Sequence, residues 1–171
     1  MISKICNILS YIIIICLLAL AALFFVPRIF GYEVLAVVSG SMEPTIHVGS
    51  VVYAKEQPFS EYKVDDIVTY QLSDNMLVTH RVVDINDDKT ELTMKGDANN
   101  AIDKTKVNKT NIVGKVYFYL PLLGYLTLYM NSALGIAIIC GIIFILLILY
   151  FLPEIFEKDD GPHQPDAQKR P

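Results

Sequence analysis

Ile67-Val68-Thr69-Tyr70-Gln71-Leu72 is followed, after Ser73-Asp74-Asn75-Met76, by Leu77-Val78-Thr79-His80-Arg81-Val82-Val83-Asp84-Ile85. Both runs are rich in the β-branched and aromatic residues that suit a pleated, half-buried surface. The polar link between them is too short for a crossover helix, which parallel strands require. The same pattern extends outward. Residues 34–38, 50–54, 91–94 and 112–119 are further short runs rich in Val, Ile, Tyr and Thr, parted by Gly, Pro, Asn and Asp clusters. The middle of the chain therefore reads as mainly β, a small antiparallel sheet or barrel rather than βαβ units.

On either side the composition changes. Residues 8–26 and 132–152 carry no charge. A helix needs about 20 apolar residues to cross the hydrocarbon core, so each run fits one crossing. The competing reading of the first is a cleaved signal peptide, with Lys4 before it and Ala19-Leu20-Ala21 as an A-x-A pattern. But the apolar run continues through Val26, longer than the roughly 7–15 residues of a secretory h-region, which argues for an uncleaved anchor. Tyr117, Tyr119, Tyr125 and Tyr129 precede the second run, and Tyr150 and Phe151 close it, as rings at the headgroup level would. Residues 121–130 either approach the membrane surface or pack under the domain, and the sequence does not separate the two.

The expected organisation is an N-terminal end and transmembrane helix over residues 1–29 and a β-rich domain over 30–121. A membrane-proximal segment and second transmembrane helix cover 122–152, and a disordered tail 153–171. The tail is proline-rich and charged, holds His163, and cannot bury a core.

Of 171 residues 53% are hydrophobic, too many for a disordered chain. Lys+Arg 14 against Asp+Glu 18 gives a net charge of −4, which excludes a basic nucleic-acid binder. The three cysteines, Cys6, Cys16 and Cys140, lie in or beside the apolar runs, where Cys behaves as a small apolar residue. They offer neither a disulfide nor a metal site, and no cofactor motif is present.

Three segments of the middle domain carry the residues of chemical interest. In Val37-Val38-Ser39-Gly40-Ser41-Met42-Glu43-Pro44-Thr45-Ile46, a serine emerges at the end of an apolar strand. Gly40 permits close backbone approach and Pro44 stiffens the exit. The plain alternative is an ordinary Ser/Gly turn. It is not the hydrolase elbow, since Ser39 and Glu43 stand where glycines would be needed. In the second segment His80 shares a strand face with Val78 and Val82. Alone it is best read as a satisfied histidine at the edge of the core, and His47 as a surface residue. In Met94-Lys95-Gly96-Asp97-Ala98-Asn99-Asn100-Ala101-Ile102-Asp103, two carboxylates flank a polar turn. Either could orient an imidazole or simply solvate a loop. The acidic run at 84–89 lacks the glycine of a calcium loop and reads as a hairpin turn. Together the three segments can supply a Ser-His-Asp relay, in which histidine takes the serine proton and aspartate holds its tautomer.

Ser39-Gly40-Ser41-Met42-Glu43-Pro44-Thr45, Thr79-His80-Arg81-Val82, and Lys95-Gly96-Asp97-Ala98-Asn99-Asn100 with Asp103 resemble type I signal peptidases. The branch resembled is that of the endoplasmic reticulum and archaea, also found in some Gram-positive bacteria. Gly114-Lys115-Val116, Pro121 and Gly124 are similar to its last shared segment. The resemblance implies a Ser41 nucleophile and His80 as base where the ordinary bacterial branch has lysine. It implies Asp103 as the acid orienting His80 and Asp97 as a structural or outer acid, an order that stays open. Ser39 and the Ser41 backbone N–H would form the oxyanion hole, and Met42 would line the substrate cleft. The implied reaction is removal of signal peptides from exported pre-proteins at a cell membrane, or at the endoplasmic-reticulum membrane in a eukaryote. Both termini would be cytoplasmic. Partners are the signal peptides and the lipid bilayer, with accessory membrane subunits left open. The rivals are a catalytically silent two-anchor adaptor or assembly factor, and a serine–lysine protease using Lys55, Lys63 or Lys95.

Overall fold

A computed structural model describes residues 2–74, 76–130 and 132–157. Residues 21–134 form one compact unit, and the described residues before and after them form another.

The helical unit holds residues 2–20 of the long helix α1 (Ile2–Ile29) and residues 135–157 of the long helix α3 (Ala133–Glu157), the rest of each belonging to the sheet unit. The windows Asn7–Ile29 and Ala133–Phe151 are long and apolar enough to cross a membrane. Their apolar side chains, among them Ile12, Leu18, Phe144 and Leu147, are exposed. A helix that is apolar all round and uncovered by protein has the character of a membrane span, not of a core helix. The helix α3 runs through Pro153 to Glu157, so the tail read as disordered from residue 153 starts as helix. The rest of that tail, with His163, lies outside the described residues.

In the second unit seven strands form one antiparallel sheet. They are β1 (Tyr32–Ala36), β2 (Val51–Lys55), β3 (Ile67–Ser73), β4 (Met76–Ile85), β5 (Glu91–Lys95), β6 (Val107–Asn108) and β7 (Ile112–Leu120). Their order is β1-β2-β7-β3-β4-β5-β6. Only β6, two residues long, has no counterpart among the expected runs. The first expected strand, 34–38, is displaced: β1 begins at Tyr32 and ends at Ala36. Val37 and Val38 lie beyond it, where the chain starts its turn toward Ser41.

Strand β2 is buried on both faces, which explains its unbroken apolar run. Val52 and Ala54 pack with Met42, Ile46 and Val116, while Val51 and Tyr53 pack with Val34. A third cluster joins Val68 and Tyr70 of β3 to Val82, Leu92 and Met94.

Tyr53 also tethers the end of α1. Pro27 lies inside that helix and lacks the N–H that would bond the Leu23 carbonyl one turn back. The Tyr53 hydroxyl donates to that carbonyl at 3.0 Å. The orphan acceptor left by proline is thus satisfied by the sheet.

The segment 121–130 packs on the domain. Helix α2 (Leu123–Met130) starts with the Gly124 N–H bonded to the Gly49 carbonyl at 2.8 Å. Gly49 has φ +81° and the Tyr125 ring lies where a Cβ would project, so only glycine fits.

Candidate active site

The Ser41 turn is anchored from below. After β1, the Val37 N–H bonds the Ser50 carbonyl and the Gly49 N–H bonds the Val37 carbonyl, both at 2.8 Å. Beyond Gly40 the Ile46 N–H bonds the Met42 carbonyl at 2.9 Å. Met42 and Ile46 stand at the two ends of that turn, and both are buried in the core cluster with Val52. Ser41, between exposed Gly40 and buried Met42, is held at the surface. Its hydroxyl lies 3.5 Å from that of Ser39.

The histidine is positioned by a strand that ends early. Pairing of β5 with β4 stops at Arg81↔Lys95. One residue further, His80 remains paired with Val68 of β3 but has lost its β5 neighbour. The chain leaving Lys95 fills that place. Its Ala98 N–H bonds the Ser41 carbonyl at 2.9 Å. A Cβ on Gly96 would stand 2.7 Å from the same carbonyl oxygen, so the close approach of the two turns requires glycine here. The segment returns along β5, where the Asp103 N–H bonds the Met94 carbonyl at 2.8 Å.

This path delivers the two carboxylates to different partners. Asp103 Oδ2 is 2.6 Å from His80 Nδ1. It also accepts a hydrogen bond from the Tyr70 hydroxyl at 2.7 Å. Asp97 is bound by Arg81 through both its oxygens, at 2.8 and 2.7 Å, and accepts from Thr45 at 2.5 Å. The guanidinium holds the Asp97 carboxyl below the usual carboxylate range; burial opposes this and the Thr45 hydroxyl assists it. Asp97 thus joins the Ser41 turn, through Thr45, to β4, through Arg81.

Because an ionised carboxylate only accepts, His80 Nδ1 must carry the proton in the bond to Asp103. In the neutral ring this leaves Nε2 with a lone pair, the form a general base needs. Among the described residues, no hydrogen bond joins His80 to Ser41. The fold brings His80 to Asp103 and Ser39 to Ser41 without closing the two pairs onto each other. Such bonds are often long in unliganded enzymes and tighten on substrate.

A cleft of about 100 Å³ opens at the serines, lined by Val37, Val38, Ser39, Ser41, Met42 and Thr79 among others. Two unpaired backbone edges border it. Strand β1 is the sheet's edge, and residues 77–79 of β4 pair only with β3. Neither His80 nor Lys55, Lys63 or Lys95 lines this cleft. His47 pairs with Glu43 at the surface. No trio of His, Cys, Asp or Glu suited to a metal occurs among the described residues.

Tyr70 and Thr45 were not singled out from sequence. A tyrosine in a strand reads as an ordinary core residue. The one available signal was that Tyr70 shares a face with Val68, in the strand next to that of His80.

A family profile described as "Signal peptidase, peptidase S26" matches residues 7–113. Signal peptidase I W of Bacillus subtilis (strain 168) is 39% identical over 89 residues, covering 50% of this chain and 47% of that protein. The signal peptidase complex catalytic subunit SEC11 of Scheffersomyces stipitis is 40% identical over 111 residues, 58% of this chain and 66% of that protein. Its counterpart in Clavispora lusitaniae is 34% identical, with the same shares. The chain therefore spans between about half and two thirds of the length of these relatives.

Proposed function

The chain belongs to the signal peptidase family, peptidase S26, and from that premise we propose that it is a membrane-bound serine endopeptidase removing N-terminal signal peptides from exported pre-proteins. The observation that carries this reading is the His80 Nδ1 bond to Asp103, 2.6 Å long, in a domain whose Ser39 and Ser41 line a small cleft.

In the mechanism, His80 Nε2 takes the Ser41 hydroxyl proton as Oγ attacks the scissile carbonyl. Asp103 holds the imidazole and stabilises the imidazolium that forms. The oxyanion is met by the Ser41 backbone N–H and the Ser39 hydroxyl. His80 then returns its proton to the departing amine, and water hydrolyses the acyl-serine by the same route. Asp97 does not touch the reacting atoms in this scheme; it fixes the Ser41 turn against β4.

The substrate lies extended across the cleft, adding as a strand to the free edges of β1 and residues 77–79. A cleft of about 100 Å³ suits the small side chains that precede a signal-peptide cut. The two long helices anchor the domain to the bilayer and raise its effective concentration near membrane-bound substrate. Both termini then face the cytoplasm, and residues 31–120 the far side of the membrane.

The test is cleavage of a reporter pre-protein by membranes carrying the wild-type chain or Ser41→Ala. Wild type cuts after the small-residue site and Ser41→Ala does not. Equal processing by both would overturn the reading in favour of a silent adaptor. Protease added outside sealed cells should reach the middle domain and spare the tail.

A further inference from the structure

Among the buried hydroxyls that the mechanism does not use, that of Tyr70 touches the relay. Tyr70 is 2% exposed, in the core behind His80, and its ring centroid lies 6.3 Å from that of the imidazole. Its hydroxyl donates at 2.7 Å to Asp103 Oδ2, the same oxygen that lies 2.6 Å from His80 Nδ1. Two donors from adjacent strands, β3 and β4, therefore converge on one carboxylate oxygen. Asp103 sits on an irregular segment, and among the described residues its side chain makes no other hydrogen bond. Without Tyr70 its orientation would rest on the group it is meant to orient.

We propose that Tyr70 is a positioning residue of the relay: it pins the Asp103 carboxylate and shares the charge of the oxygen that receives the His80 proton. The inference rests on the serine-protease reading for its kinetic consequence, but the hydrogen-bond linkage stands independently of that reading. Burial and then the Asp103 carboxylate push the Tyr70 phenol above its ordinary range, so it remains a donor throughout the pH range of interest. The charged groups near the imidazole are Asp103 and Asp97 from the segment after β5, and Arg81 beside it on β4. Asp97 is neutralised by Arg81, which leaves Asp103 as the unbalanced charge that Tyr70 moderates.

Tyr70 does not line the cleft, so Tyr70→Phe should leave KM unchanged. Removing the donor frees the carboxylate to move and leaves the whole charge of Oδ2 to the imidazole. In the full-length chain in detergent or nanodiscs, kcat should fall about 3- to 10-fold, the worth of one hydrogen bond. The acidic limb of the kcat/KM profile should move to higher pH by roughly half to one unit, because an unshared carboxylate holds the imidazolium proton more tightly. Packing alone would not move that limb. In ¹⁵N-histidine-labelled protein, the Nδ1–H proton of His80 should exchange with water several-fold faster in the variant, while the His47 signals stay in place as a control for folding. Faster exchange together with the moved limb supports the proposal. Faster exchange in a chain whose wild type cuts no pre-protein supports the linkage and overturns the protease reading. Unchanged exchange, or a limb that stays or moves to lower pH in an active enzyme, overturns the role of Tyr70.

Discussion

The two halves of the site are built in opposite ways. Around His80 the groups are close, with buried His80 and Tyr70 making bonds of 2.6 and 2.7 Å that converge on half-buried Asp103. Around Ser41, Ser39 and Gly40 are exposed and Ser41 is half-buried, and among the described residues its hydroxyl has only a 3.5 Å contact with Ser39. The base needs one tautomer and one orientation, which burial and convergent hydrogen bonds enforce. In the proposed mechanism the nucleophile needs access, and a turn held by buried Met42 and Ile46 and by Ala98 and Asp97 of the segment after β5 still opens to the cleft at Ser39 and Ser41. On the proposed mechanism, the orienting half would be assembled by folding and the attacking half completed by substrate.

The largest expected effects would break this division outright. His80→Ala should be as inactive as Ser41→Ala, and the double variant no worse than either, because relay members act as a unit. Pre-protein cleavage rates of the three variants check this; additive losses would mean that the halves work independently.

Next come the carboxylates. Asp103→Asn should keep the fold and lower turnover by up to about 10⁴, since an amide stabilises the wrong tautomer. His80→Lys should also fail: a lysine base must be neutral near pH 7, and the neighbouring carboxylates would keep it charged. An active His80→Lys enzyme would contradict the carboxylate-held base.

Asp97 should behave differently. Asp97→Asn should cost about 1.5–3 kcal/mol of stability, the worth of a hydrogen bond to a charged group, with a smaller loss of rate than Asp103→Asn. Its carboxyl is lower in the folded chain than its ordinary 3.8. The stability it supplies is therefore fully present above that value and is lost as pH falls through the folded-state value. Thermal melts from neutral to acid pH should show wild type and Asp97→Asn converging as pH falls through the lowered folded-state value. A folded, dead Asp97→Asn beside a nearly normal Asp103→Asn would invert the assignment of the two acids.

On the oxyanion side, Ser39→Ala should cost about 10²–10³ in kcat, the usual worth of one oxyanion donor. Full activity would leave that role to backbone groups. The smallest effect lies at the end of α1. Tyr53→Phe should cost about 1 kcal/mol, and nothing in a Pro27→Ala background, where alanine supplies the missing N–H to Leu23. A double-mutant cycle by chemical denaturation measures it.

These contrasts also mark what could be read from residues alone. His80 stood out because His47 and His80 are the only histidines between the apolar runs, and two valines flank His80 on its strand face. The strands were visible because β2, β3, β4 and β7 are dense in β-branched and aromatic residues. Spacing could not tell Asp97 from Asp103. That depends on β5 leaving the sheet after Lys95, a tertiary event set by Gly96 against the Ser41 carbonyl. Nor could it decide whether residues 121–130 approach the membrane or pack on the domain, because both demand apolar side chains. The deciding contact is Gly49 beneath Tyr125, a pair far apart in sequence. Tyr70 was hidden for a similar reason: a core tyrosine and a positioning tyrosine look alike until its hydroxyl has an address.

The most direct test of the relay is to trap its intermediate. A reporter pre-protein mixed with the full-length chain, quenched in acid within one turnover and mapped by mass spectrometry, should carry its acyl fragment on Ser41. The adduct should be absent in His80→Ala and sharply reduced in Asp103→Asn. An adduct on another residue, or one on Ser41 that forms equally fast without His80, would contradict the account.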